Sequence, residues 1–283
     1  MASTRRFPGR VAELASSLST GTGPAASIAA LSGRDRIVIG LCLVVVVALA
    51  WAYLFYLDRM MAPAMAQDAE MAGMAMVRQW SAADFLFTLA MWVVMMIGMM
   101  VASATPVLLL FAAAHARRGG GRVPLAVLAF ALGYLLAWSG FALCAVLAQW
   151  ALHQAALLSP QMALSSAQAG GAVLVAAGLY QMTPLKRACL QHCQSPLGFL
   201  LSHWREGIGG ALQMGMRHGA WCLGCCWALM AVLFVVGVMN LAWVAALAVF
   251  ILLEKLAPAG VTVSRVAGAA MMVAGMMLLA GQA

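Results

Sequence analysis

Long apolar runs separated by short polar segments dominate this chain. Runs of this length and composition are typical of helices that cross a lipid bilayer. Seven are expected, at residues 37–57, 84–114, 125–150, 170–182, 213–238, 241–256 and 261–279. The pattern therefore predicts an all-α, polytopic helical membrane protein with about seven transmembrane helices, in a single domain over residues 34–283.

The polar segments predict how these helices are oriented. Residues 1–33 are rich in Ser, Thr, Gly, Ala and Arg and predict a mobile tail. Arg and Lys concentrate in this tail and after the second, fourth and sixth runs, whereas the connection after the first run is acidic. Because cytoplasmic loops carry the excess of basic residues, we expect a bacterial inner-membrane protein with its N-terminus in the cytoplasm and a long cytoplasmic loop at residues 184–217.

Composition narrows the class of protein further. The chain is 65% hydrophobic and 8% charged, and its net charge of +8 lies in short basic clusters at the ends of apolar runs. This distribution indicates contact with lipid and does not indicate nucleic-acid binding. Beside the last connection, Glu254, Lys255 and Arg265 predict an ion pair at the membrane interface.

Residues 214–227 place soft metal ligands in an apolar run (Met-Gly-Met-Arg-His-Gly-Ala-Trp-Cys-Leu-Gly-Cys-Cys-Trp). On an α-helix, four of these side chains fall within an arc of about 100°. They are His218, Cys222, Cys225 and Cys226. Thiols and imidazoles are donors that Cu(I) and Zn(II) prefer, so the pattern predicts a metal site within a membrane helix. The alternative is that the cysteines pack as small hydrophobic residues.

A second group of soft donors lies in the 184–217 segment. Cys189 and Cys193 are four residues apart, so one helical turn brings both thiols to one face, with His192 beside them. This spacing alone is a weak signal, but it gains weight beside the 214–227 cluster. We interpret it as a second candidate metal site.

Methionine is unusually frequent, with 22 residues in the chain. Residues 58–81 predict an external, acidic, methionine-rich loop, with an amphipathic helix on the bilayer as the alternative. Met91, Met95 and Met99 recur every fourth residue and predict a ladder of thioethers along one helix face, or a flexible packing seam. Thioethers bind Cu(I) without losing a proton, so copper is favoured as the metal, with zinc as the alternative.

Several motifs resemble a known bacterial family of predicted metal-binding integral membrane proteins, a domain of unknown function. They are residues 178–193, 218–227 and 237–243, together with Met-Met-Ile-Gly-Met-Met at residues 95–100. The resemblance extends from about Leu86 to Gly275. It implies metal binding by the Cys/His blocks and identifies neither the ion nor a reaction.

These observations favour a non-enzymatic membrane protein that handles copper, by Cu(I) uptake, delivery or homeostasis. A metallochaperone or a cuproprotein is the expected partner, and an oligomer is compatible with the composition. One alternative is a thiol–disulfide oxidoreductase that uses Cys222 and Cys225, since a C-x-x-C pair at the start of a helix can form a reactive thiolate. Another is a structural assembly factor in which Met and Cys only pack.

Overall fold

The computed structural model describes residues 32–70, 80–119, 122–159 and 162–281. These residues form ten α-helices and no β-strand, which confirms the predicted all-α class. The helices are α1 (Gly33–Glu70), α2 (Ala82–Arg117), α3 (Val123–Gln154), α4 (Ala167–Met182), α5 (Pro184–Gln194), α6 (Pro196–His203), α7 (Gly207–Ala231), α8 (Leu233–Val236), α9 (Leu241–Leu256) and α10 (Gly260–Ala280).

Within the described ranges, five segments are long and apolar enough to cross a membrane. They are Gly33–Met61, Ala82–Arg117, Val123–Gln154, Gly207–Val236 and Gly260–Ala280. The predicted count of seven is not confirmed, because the fourth and sixth runs form α4 and α9, which have 16 residues each. At 1.5 Å per residue these helices are about 24 Å long, shorter than a hydrocarbon core of about 30 Å.

The predicted methionine-rich loop is wrong in its first half, because α1 continues through residues 58–70 to Glu70. Ala, Met, Gln and Glu are good helix formers and prolong the helix beyond the apolar run. Met71, Met74 and Met76 lie in residues 71–79, outside the described part of the chain. The predicted tail, apart from its last two residues, also lies outside it.

The predicted loop at 184–217 is also largely helical. Thr183 begins α5: its hydroxyl accepts a hydrogen bond from the Lys186 amide at 3.2 Å, and Pro184 occupies the first helical position. Cys189 and Leu190 are buried, so α5 packs into the helical core, against α7. The segment therefore contributes side chains to the interior.

Small residues allow two pairs of helices to approach closely. A Cβ at Gly215 of α7 would overlap the carbonyl of Phe130 in α3, and one at Gly171 of α4 would lie 2.8 Å from the carbonyl of Gly275 in α10. Close backbone contact through small residues is typical of helix pairs in membranes. The α3–α7 contact brings Tyr134 of α3 to the centre of α7.

Candidate metal centre

Helix α7 directs its predicted metal ligands into the protein core. His218, Cys222, Cys225 and Cys226 are all buried. The His218 ring lies among aromatic rings, 5.1 Å from Phe199 and 6.0 Å from Tyr134 between centroids. Its Nδ1 atom has no hydrogen-bond partner in the part of the chain that the structure describes. A buried polar atom without a partner is costly, so this nitrogen remains available as a donor or a ligand.

Cys222 contacts two polar side chains from other helices. The Tyr134 hydroxyl donates a hydrogen bond to the carbonyl of Met100 at 3.2 Å and lies 3.0 Å from the Cys222 sulfur. The Lys255 ammonium donates to the same sulfur at 2.9 Å and to the Ser103 hydroxyl at 3.0 Å. Side chains from α3 and α9 therefore meet at this thiol of α7, and α2 holds both of them through the Met100 carbonyl and the Ser103 hydroxyl.

The other thiols of α7 lie against the same turn. Cys225 and Cys226 both donate to the carbonyl of Cys222, at 3.0 and 3.1 Å. The Cys193 sulfur of α5 lies 3.8 Å from that of Cys225. A Cβ at Gly224 would lie 2.8 Å from the Cys189 sulfur. The two predicted cysteine groups thus lie together at one α5–α7 interface.

His192 is placed differently from the thiols. Its ring stacks on Trp221, with centroids 4.2 Å apart and planes 8° from parallel, and its Nδ1 lies 2.9 Å from the carbonyl of Ala188. This geometry packs the imidazole on the surface of α7. The structure therefore brings Cys189 and Cys193 to the α7 cysteines and holds His192 aside.

The predicted interfacial ion pair is wrong, because Glu254 and Lys255 are both buried. Glu254 pairs with Lys186 of α5, with Nζ and Oε1 2.6 Å apart and both side chains almost completely buried. The Gln194 amide also donates to the carbonyls of Glu254 and Ala257. These contacts fix α5, with Cys189 and Cys193, to the end of α9.

The predicted methionine ladder is buried. Met91, Met95 and Met99 all face the core. Met91 and Met95 line a small cavity with Asp58 of α1 and Met239, which precedes α9. The ladder therefore extends along α2 from this cavity towards Met100, whose carbonyl bonds to Tyr134 beside Cys222.

Protonation of the α5 thiols opposes metal binding. Hydrogen bonds to the sulfurs of Cys222 and Cys225 raise the pKa of the Cys193 thiol well above its usual range. Burial, and then the proximity of Cys225, raise the pKa of the Cys189 thiol. A metal ion that binds either sulfur must displace its proton.

No group of three or more His, Cys, Asp or Glu side chains within the described ranges has the geometry of an assembled metal site. The thiols of Cys225 and Cys226 explain this, because both donate to the Cys222 carbonyl and their sulfurs do not converge on a position for a metal ion. The donor chemistry nevertheless fits a soft ion. Rotation about the Cα–Cβ bonds would release these sulfurs from that carbonyl, because a thiol is a weak donor.

Tyr134 and Lys186 were not predicted as site residues, and Lys255 was predicted only as part of an interfacial ion pair. A usable signal existed for Lys255, which lies inside the sixth apolar run, because charged residues within membrane segments are costly and usually functional. Lys186 follows the fourth run and carries no such signal. The sequence around Tyr134 does not mark it as a site residue. A buried tyrosine hydroxyl needs only one hydrogen-bond partner, and the residues of the third apolar run do not identify that partner.

The fold and the centre define a helical protein with apolar helices of membrane-spanning length and a buried cluster of soft donors. The five long apolar helices are consistent with a multi-pass membrane protein. Residues 89–278 match the family model described as copper chaperone (PpoB2), so the chain belongs to this copper chaperone family. No curated protein and no solved structure matches the chain.

Proposed function

We propose that this chain is an integral membrane copper chaperone that binds a Cu(I) ion at the α5–α7 interface. Cys222 and Cys225 of α7 and Cys193 of α5 are the proposed ligands, with Cys226 and His218 as adjoining donors. The observation that carries the proposal is the 3.8 Å contact of the Cys193 and Cys225 sulfurs across two helices, with Cys222 one turn before Cys225 on α7. Membership of a copper chaperone family favours copper over zinc, and thiolates in an apolar setting suit Cu(I).

Binding requires a local rearrangement of the thiols. Each ligand loses its proton as its Cu–S bond forms, and the Cys225 sulfur turns away from the Cys222 carbonyl. The Lys255 ammonium then offsets part of the negative charge of the thiolates. No change of oxidation state is needed at any step.

Delivery follows by ligand exchange with a cuproprotein or another metallochaperone. A donor atom of the partner bonds to Cu(I) while one of the cysteines here dissociates and takes up a proton. Cys226, one residue beyond Cys225, is a replacement ligand that would keep the ion bound during the exchange.

In this proposal α4 and α9 complete a set of seven membrane helices. The N-terminus and residues 184–217 lie on the cytoplasmic side of a bacterial inner membrane, as the distribution of Arg and Lys indicates. Because α4 and α9 are shorter than a typical hydrocarbon core, each would cross where the bilayer is locally thinner or where neighbouring helices shield its ends from lipid.

The proposal is tested by Cys222→Ser, which keeps the size and polarity of the side chain but removes the soft donor. The full chain is purified in detergent without chelators, loaded with Cu(I) and analysed for copper by elemental analysis. We expect loss of tightly bound copper in Cys222→Ser but not in the control Cys144→Ser, which removes an exposed thiol of α3. Copper retained at the wild-type ratio in Cys222→Ser, with the variant monodisperse, would contradict the proposal.

One observation favours a second function. The 3.8 Å contact between the Cys193 and Cys225 sulfurs places two free thiols within reach of a disulfide. A thiol–disulfide oxidoreductase would therefore use this pair more readily than Cys222 and Cys225, passing two electrons and two protons to a membrane quinone. Alkylation of the native protein followed by peptide mass analysis separates the functions, because a Cys193–Cys225 disulfide supports the oxidoreductase and free thiols with bound copper support the chaperone.

A further inference from the structure

A small cavity lies where α1, α2 and the start of α9 meet, away from the thiol cluster. Its volume is about 20 Å³, and its lining includes three thioethers and a carboxylate. Met91 and Met95 come from α2, Met239 from the turn before α9, and Asp58 from α1. A water molecule needs about 10–15 Å³ of such space, so a desolvated monovalent ion fits.

This cavity adjoins a wider pocket of about 560 Å³. Both are lined by Asp58, Met239 and Leu241, and the wider pocket also includes the exposed Asn240. The wider pocket therefore forms an entrance to the cavity that Met91 and Met95 line, and Asp58 places one carboxylate at this entrance. A negative group at an entrance concentrates cations there.

The chemistry of this lining selects a soft monovalent ion. Thioethers bind Cu(I) and Ag(I) without releasing a proton and bind hard cations poorly. Ordinary packing explains a single buried methionine. Here the buried Met91 and Met95 and the half-buried Met239 line one cavity together with the half-buried carboxylate of Asp58, so soft donors lie beside an entrance.

We propose that Met91, Met95 and Met239 form an entry site for Cu(I), with Asp58 at its mouth. The inference rests on the proposed function, to which it adds a second site. Met99 lies one turn beyond Met95 on α2, about 6 Å further along the axis. From there the adjoining Met100 carbonyl bonds to Tyr134, which contacts Cys222. The ion thus passes from neutral thioethers to thiolates, which bind it more strongly.

The site is tested without its thiol competitors. Full-length protein in which all seven cysteines are replaced by serine is labelled with ¹³C at the methionine methyls and titrated with Ag(I), a redox-inert substitute for Cu(I). We expect the methyl resonances of Met91, Met95 and Met239 to shift, while those of the exposed Met276 and Met277 stay in place. Three unshifted resonances would overturn the proposal.

A second measurement keeps the cysteines and tests entry. Met91→Leu, Met95→Leu and Met239→Leu together preserve side-chain volume, so the fold should tolerate them. Since loss of groups that support a metal site typically costs 10–100-fold, we expect Cu(I) loading to slow at least about tenfold, with the final copper content unchanged. Met276→Leu with Met277→Leu is the matched control. Loading at the wild-type rate would overturn the entry site.

The two proposals fail in different ways. Wild-type copper content in Cys222→Ser contradicts the thiol site and leaves the Ag(I) shifts as evidence for the thioether site. Absence of those shifts contradicts the entry site, even when copper binding depends on Cys222.

Discussion

The Lys255 ammonium donates a hydrogen bond to the Cys222 sulfur at 2.9 Å, which joins the end of α9 to the middle of α7. The same ammonium is held by the Ser103 hydroxyl at 3.0 Å. A monovalent ion bound by two or three thiolates leaves a net negative charge in an apolar interior. In the proposed copper site, Lys255 would offset that charge beside the proposed ligands.

We predict that Lys255→Leu weakens Cu(I) binding about 10- to 100-fold, the usual cost of removing a group that supports a metal ligand. Leucine is apolar and, unlike methionine, adds no sulfur donor beside Cys222. Affinity is measured by competition with a chromophoric Cu(I) chelator. Arg265→Leu, which removes an exposed positive charge at the start of α10, is the control and should bind like wild type. An unchanged or higher affinity in Lys255→Leu, with the variant monodisperse, would show that the lysine does not support the ligands.

A second prediction concerns pH. The raised pKa values of Cys193 and Cys189 mean that these thiols are protonated at neutral pH. Copper that binds Cys193 must displace a proton, so the affinity for Cu(I) rises as pH increases, up to the raised pKa, and falls on acidification. Each proton displaced changes the apparent affinity by about tenfold per pH unit.

The contribution of Cys193 is isolated by comparing wild type with Cys193→Ser in chelator competition. The affinity is measured from about pH 6 to about pH 8, a range that lies entirely below the ordinary thiol pKa of about 8.5. Because serine keeps its proton, the variant should show a shallower dependence of log affinity on pH. Equal slopes would mean that Cys193 does not ligate the ion.

Local pattern predicted part of this molecule. The 3.6-residue period brings His218, Cys222, Cys225 and Cys226 to one face of α7, and the structure buries all four. Periodicity fixes which residues share a face, because helix geometry is local. Periodicity does not determine which helices pack together, so it could not predict the contact between Cys193 of α5 and Cys225 of α7.

Loops and charges were harder to predict, for a related physical reason. Residues 58–70 are polar enough for a loop, but their helix propensity extends α1 to Glu70. Lys255 and Glu254 resemble interfacial charges when only their own run is considered. Their partners Cys222 and Lys186 come from α7 and α5, and only the tertiary fold supplies them.

The orientation of the chain can be checked directly. From the Arg and Lys bias of the connections we predict that the C-terminus lies outside the cytoplasm. An alkaline phosphatase fused after Ala283 should be active and a fluorescent protein sensitive to export should be dark. The reverse pattern would mean that only one of α4 and α9 crosses the bilayer or that the N-terminus lies outside the cytoplasm.

The last prediction concerns the buried pair of Lys186 and Glu254. Removing one partner of a buried ion pair leaves an uncompensated charge, so Glu254→Gln should lower the free energy of unfolding by about 3–5 kcal/mol. Replacing both, with Lys186→Met and Glu254→Leu, should recover most of this loss. Thermal unfolding in detergent, followed by tryptophan fluorescence, measures both effects.

A matched control is the pair of Arg118 and Glu206, whose side chains are 34% and 76% exposed. Exposed pairs contribute about 0–1 kcal/mol, so Glu206→Gln should change stability little. Because Lys186 and Glu254 position α5 and do not ligate the ion, the double variant should still bind Cu(I). A double variant as unstable as Glu254→Gln would show that the loss comes from packing at Glu254 and not from the unpaired lysine.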